Sequence, residues 1–79
     1  MKAKIFVNLK TGVLDPQGQA IKNSLNNIGL QAIEKVKQGK VFEVEVNEKD
    51  QAKAKEILTS ACDRLLANTV IENYEIEIL

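Results

Sequence analysis

The residues of this chain able to take part in chemistry are few: Cys62, the glutamates Glu72, Glu75 and Glu77, and the pair Gly39-Lys40. The chain has no histidine, which removes the commonest general base and every Ser-His or Cys-His pair. Cys62 falls between Leu58 and Leu65 on an apolar stripe, the setting of a small buried hydrophobe rather than a reactive thiol. The three glutamates crowd what reads as an exposed strand, with no second cluster at calcium-loop spacing. One cysteine without histidine leaves no zinc set. Gly39-Lys40 lacks the flanking glycines and following Ser or Thr of a phosphate-binding loop, and reads as a hairpin turn. We expect no catalytic residue and no metal site.

The bulk properties point the same way. A chain of 79 residues reads as one domain, 1–79, and a domain of that size buries only roughly 60–65% of its unfolded surface. A single cysteine excludes an internal disulfide, so association is the support expected for so small a core. Eleven basic and eleven acidic residues balance to zero, without the basic excess of a nucleic-acid binder. An open sheet that binds single-stranded RNA stacks bases on aromatics of its central strands, and Phe6 alone is weak support for that. No apolar run approaches the ~20 residues of a membrane span.

The elements that must position these residues follow from periodicity. Ile5, Val7 and Leu9 alternate with polar neighbours as in a strand with one buried face, and Phe6 on the other side is a surface or interface residue. Asp15-Pro16 opens a helix: the Asp side chain accepts a first-turn N–H, and Pro at the first position lacks a donor that would be an orphan. Ile21, Leu25 and Ile28 share one helical face, and Gly29-Leu30 closes the helix. Gly18 is out of place in a first turn, where Gly costs on the order of 1 kcal/mol against Ala, which implies that something approaches its backbone closely.

Leu30 to Val46 reads as two strands around Gln38-Gly39-Lys40. The second arm alternates cleanly through Phe42, Val44 and Val46, whereas Ile33 and Val36 in the first cannot share one face of a regular strand. A bulged, twisted or two-faced edge strand carrying Lys35 and Lys37 is expected there, with another subunit as the cover for its second face if that face is covered. Asn47 reads as the N-cap of a second helix running to about Leu66, Ala67-Asn68-Thr69 as a turn, and Tyr74, Ile76 and Ile78 as the buried face of a last strand. The order predicts an α+β fold, a two-layer ferredoxin-like βαββαβ sandwich. Its antiparallel sheet would carry two helices on one face, with strands one and three central and the irregular second strand at an edge.

The motifs Val7-Asn8-Leu9-Lys10-x-Gly12-Val13-Leu14-Asp15-Pro16-Gln17-Gly18, then Gly39-Lys40, then Leu65-Leu66-Ala67-Asn68-Thr69-Val70-Ile71-Glu72-Asn73-Tyr74 resemble, in order and over essentially the whole chain, the PurS family. This is the small subunit of phosphoribosylformylglycinamidine synthase. Thr69 stands where the family commonly has Pro. The resemblance implies a non-catalytic, cytoplasmic subunit of a ligase of purine (IMP) biosynthesis, which converts formylglycinamide ribonucleotide to its amidine. It implies a homodimer or higher homo-oligomer that bridges a glutaminase subunit and a large synthetase subunit and supports ammonia passage between them. ATP, Mg and glutamine would be used by the complex and no cofactor bound by this chain. Partner contacts carry over to Asp15, Pro16, Gln17 and Gly18, with Gly18 approached by a neighbouring chain, and to Gly39, Lys40, Asn68, Glu72 and Tyr74. The competing reading is a small-metabolite-binding regulatory domain of the same fold.

Overall fold

A computed structural model describes residues 1–79. Strand β1, Lys2–Leu9, turns Ala3, Ile5 and Val7 to one side, where all three are buried. It is the central strand, antiparallel to β2 (Lys40–Glu45) on one edge and to β3 (Glu72–Ile78) on the other. Register sets the two faces of the sheet. Ile5 lies between Phe42 and Ile76, and Val7 between Lys40 and Tyr74, on the side that carries the core. Lys4 lies between Glu43 and Glu77, and Phe6 between Val41 and Glu75, on the open side. Half-buried Phe6 therefore belongs to an uncovered, mostly charged face.

Helix α2, Gln51–Ala61, covers the core side with Ala54 and Leu58. Its N-cap is Asp50 rather than the expected Asn47, because the Asp50 carboxylate reaches the N–H groups of both Ala52 and Lys53 (2.9 and 3.4 Å). Residues 62–66 continue it as a π-helical turn, Cys62–Leu66, so the helical run does end at Leu66 but with a changed winding. Cys62 is fully buried against Ala3, Ile5, Val7 and Leu58. Burial pushes its thiol pKa up, so it stays protonated and inert. In this apolar setting Cys62→Ser is expected to lower stability by about 1–2 kcal/mol, read as a lower urea midpoint at unchanged slope, because a hydroxyl replaces a thiol where no new acceptor awaits it.

Helix α1, Pro16–Asn27, breaks with expectation. It makes no substantial contact with the sheet or with α2, so one helix and not two covers the core face. It stands out as an arm, and the molecule measures 49 × 24 × 14 Å. Asp15 caps it as expected, and its C-terminus closes with Leu30 N–H donating to the Leu25 carbonyl and Gly29 N–H to that of Asn26, at a Gly29 φ of +100°.

The expected second strand is also absent. Residues 31–39 form no ladder, and the sheet has three strands in the order β2-β1-β3. That is the ferredoxin-like order with its outer strand missing, and the α+β class stands. The segment instead runs back along α1. Near one end of the helix Asn26 Nδ2 donates to the Leu30 and Ile33 carbonyls (3.0 and 3.1 Å). At the other end the Val36 carbonyl lies against Gly18, and Gln38 N–H donates to Asp15 Oδ2 (3.0 Å). Lying on a helix, the segment half-buries Ile33 and Val36, a spacing that a regular strand would split between two faces.

Candidate functional site

Five of the nine residues singled out from sequence line one cleft. Asp15, Gln17, Gly39, Lys40 and Glu72 surround about 230 Å³ where the ends of β1 and β2, the start of α1 and the start of β3 converge. Each is held there by backbone geometry. The Asp15 carboxylate is a two-pronged clasp, Oδ1 accepting from Gly18 N–H at 2.9 Å and Oδ2 from Gln38 N–H at 3.0 Å. It ties the start of the arm to the chain that leads into β2. Gly39 then passes so close to β1 that a Cβ would collide with the Asn8 side chain and lie 2.9 Å from the Val7 carbonyl. Lys40 enters the cleft as the first residue of β2.

Glu72 closes the far side, tied to Asn68 in the turn before β3. Asn68 N–H donates to Glu72 Oε1 at 2.7 Å, Glu72 N–H returns a bond to the Asn68 carbonyl, also at 2.7 Å, and Asn68 Oδ1 accepts from Val70 N–H. The turn around Thr69 is thereby self-braced. Pro16 occupies the first turn of α1, and Gly18 is buried. Its close neighbour is the Val36 carbonyl of the same chain, so the approach expected from another chain is made internally. Tyr74 is elsewhere, on the core face opposite Val7, with its hydroxyl donating to Asp63 Oδ1 at 2.8 Å. That bond, with burial, raises the Tyr74 pKa and makes it a brace between β3 and the π-helical turn.

Gln38, Asp63 and Val36 were missed from sequence. Gln38 and Val36 act through backbone groups, which leave no mark on residue type, and Asp63 gains its partner only through the π-helical turn. Electrostatically the cleft pairs a free lysine with two carboxylates already engaged by N–H groups, which suits contact with a polar surface and not proton transfer.

The clasp has a pH signature. The Gln38 N–H first and the Gly18 N–H second lower the Asp15 pKa from 3.8. A carboxylate whose folded pKa is depressed contributes stability that is complete above its unfolded value and is lost as pH falls through the folded one. The arm is therefore expected to be indifferent to pH above about 5 and to loosen below 3.8. Proton NMR checks this: the Gln38 and Gly18 amide resonances should move together in one acid transition, and Asp15→Asn, whose side chain does not titrate, should abolish that transition at both.

Comparison with known proteins agrees with the fold and with these motifs. Residues 2–79 match the family model described as "PurS: Phosphoribosylformylglycinamidine (FGAM) synthase". The phosphoribosylformylglycinamidine synthase subunit PurS of Synechocystis sp. is 44% identical over 75 residues, 95% of this chain and 75% of that one. A PurS structure from Bacillus subtilis superposes with a TM-score of 0.87 at 39% identity, covering 96% of this chain and 94% of the other. The structure of PurLQS from Thermotoga maritima contains a chain that superposes with a TM-score of 0.90 at 36% identity, covering 99% of this chain and 95% of that chain. A match over nearly every residue places the chain in a family: it belongs to the PurS subunits of phosphoribosylformylglycinamidine (FGAM) synthase.

Proposed function

We propose that this chain, a single domain over 1–79, is the non-catalytic bridging subunit of the synthase. The synthase uses ATP, Mg and glutamine to turn formylglycinamide ribonucleotide into its amidine. The chain self-associates, holds the glutaminase and synthetase subunits together and supports ammonia transfer between them, in the cytoplasm. It binds no cofactor of its own. The observation that supports this reading is the whole-length likeness to a chain of the Thermotoga maritima PurLQS structure.

Partner contact is assigned to the cleft residues Asp15, Gln17, Gly39, Lys40 and Glu72, with Pro16, Gly18 and Asn68 as their frame. Tyr74 keeps a contact role only through the turn that it braces. No helix is long and apolar enough to cross a membrane. The regulatory-domain reading has no comparable support, since the family match covers residues 2–79.

Reconstitution tests the proposal. Glutamine-dependent formation of the amidine by the other two chains should require this one, while ammonia-dependent activity of the synthetase should not. Full glutamine-dependent turnover without it would end the bridging reading.

A further inference from the structure

We infer that the cleft takes a bipolar segment of a different subunit of the synthase: an acidic side chain that meets Lys40, a basic one that meets Glu72, and an apolar one between them over Leu9. This deepens the partner contact assigned to the cleft and rests on that reading.

The register of the sheet carries the inference. Residues directly opposite each other in an antiparallel pair share a face. Phe42 and Val44 lie opposite Ile5 and Ala3, and Tyr74, Ile76 and Ile78 lie opposite Val7, Ile5 and Ala3, so these rows build the apolar core face. Both outer rows end in a charge. The next position of β2 on that face is Lys40, opposite Val7, and the next of β3 is Glu72, opposite Leu9. No residue of α2 lines the cleft formed there, and the start of α1 reaches it only with Asp15 and Gln17. The core face thus ends as an apolar floor, Val7 and Leu9, with a positive group on one side and a negative group on the other.

Lys40 and Glu72 do not neutralise each other. They stand on the two outer strands, roughly 10 Å apart across β1, and the single ion pair of the chain, Lys2 with Glu45, is on the other face. Both Asp15 oxygens accept N–H groups, whereas Glu72 commits Oε1 to the Asn68 N–H and keeps Oε2 free. Lys40 and Glu72 are therefore the charged groups left to take a new partner. Their backbone is held in place, Gly39 against Val7 and Asn8, and the Glu72 N–H on the Asn68 carbonyl. Opposite charges on either side of an apolar strip select a segment that carries them in the reverse order and repel the others at one end. A second copy of this chain does not meet that description. Two concave clefts brought face to face would leave both floors uncovered, so the occupant is convex and comes from a different chain.

Biolayer interferometry tests this, with this chain immobilised and the glutaminase and synthetase subunits applied separately in the presence of ATP, Mg and glutamine. Lys40→Met removes the positive end of the cleft. Glu72→Gln removes the negative end while keeping a carbonyl oxygen for the Asn68 N–H. Each should weaken capture of the same subunit about fivefold. Lys40→Arg should bind as the parent does, and so should Lys53→Met, on the exposed side of α2. Added salt should lower the affinity of the parent more steeply than that of Lys40→Met. Capture by the parent with both charge-removing variants unaffected, losses that fall on different subunits, or a loss confined to self-association overturns the inference. The first of these leaves the bridging reading in place, whereas a parent that captures neither subunit ends both.

Discussion

Gly18→Ala should destabilise the α1 arm by about 2–3 kcal/mol, although alanine is the better helix former. Propensity alone predicts the opposite sign, a gain of about 1 kcal/mol for replacing a helical glycine. Sterics decide the matter. A Cβ at Gly18 would collide with the Val36 carbonyl and lie 2.6 Å from Asp15 Oδ2, the oxygen that accepts from Gln38. The first of these is backbone that cannot rotate away, and the second belongs to the clasp itself. Relief therefore requires residues 36–38 to lift off the helix, which also breaks the Asp15–Gln38 bond.

Since α1 makes no substantial contact with the sheet, the loss should stay in the arm. Hydrogen exchange is the measurement: protection of α1 amides and of the Gln38 amide should fall while β1 and α2 amides keep theirs. Stabilisation of the arm by Gly18→Ala would mean that the close approach of Val36 does not constrain it.

The contrast between that arm and the rest of the chain shows what sequence can carry. Asp15-Pro16, the closing Gly29-Leu30, the alternating strands β1, β2 and β3, and the inert character of Cys62 were legible, because each depends on neighbours within a few residues. The cluster at the cleft was not legible: family motifs named the residues one by one, and no periodicity brings Asp15 to Glu72. What failed was everything set by long-range choice. Residues 31–37 have strand-like composition, and composition does not distinguish a strand in a sheet from an extended segment laid on a helix. The awkward spacing of Ile33 and Val36 is a true signal, but it marks packing along α1 and not a bulge, a twist or two-faced burial in an edge strand. Asn47 and Asp50 are both good caps by type, and only the reach of the Asp50 carboxylate to two N–H groups separates them. The π-helical turn left no signal in residue types, yet it aligns Asp63 with Tyr74.

Leu58→Ala should cost about 2–5 kcal/mol, among the largest losses expected from a single substitution in the sheet half of the molecule. Leu58 is 1% exposed and is, with Ile5, Val7 and Cys62, among the largest fully buried side chains. Only eight of the 79 residues are buried, so few neighbours can collapse into the space that a shortened side chain leaves. A domain of this length has a total stability of roughly 4–12 kcal/mol, so the substitution removes a large share of it. Ile57, the preceding residue on the same helix, is 50% exposed, and Ile57→Ala should cost less than about 1 kcal/mol. Urea unfolding of both variants at several protein concentrations separates core from interface. Loss of a core contact should lower the midpoint equally at every concentration, whereas a residue that serves the interface makes the change depend on how much of the protein is associated. If Ile57→Ala instead proved the costlier variant, with a loss that grows with concentration, the outer face of α2 would be a surface on which two copies meet.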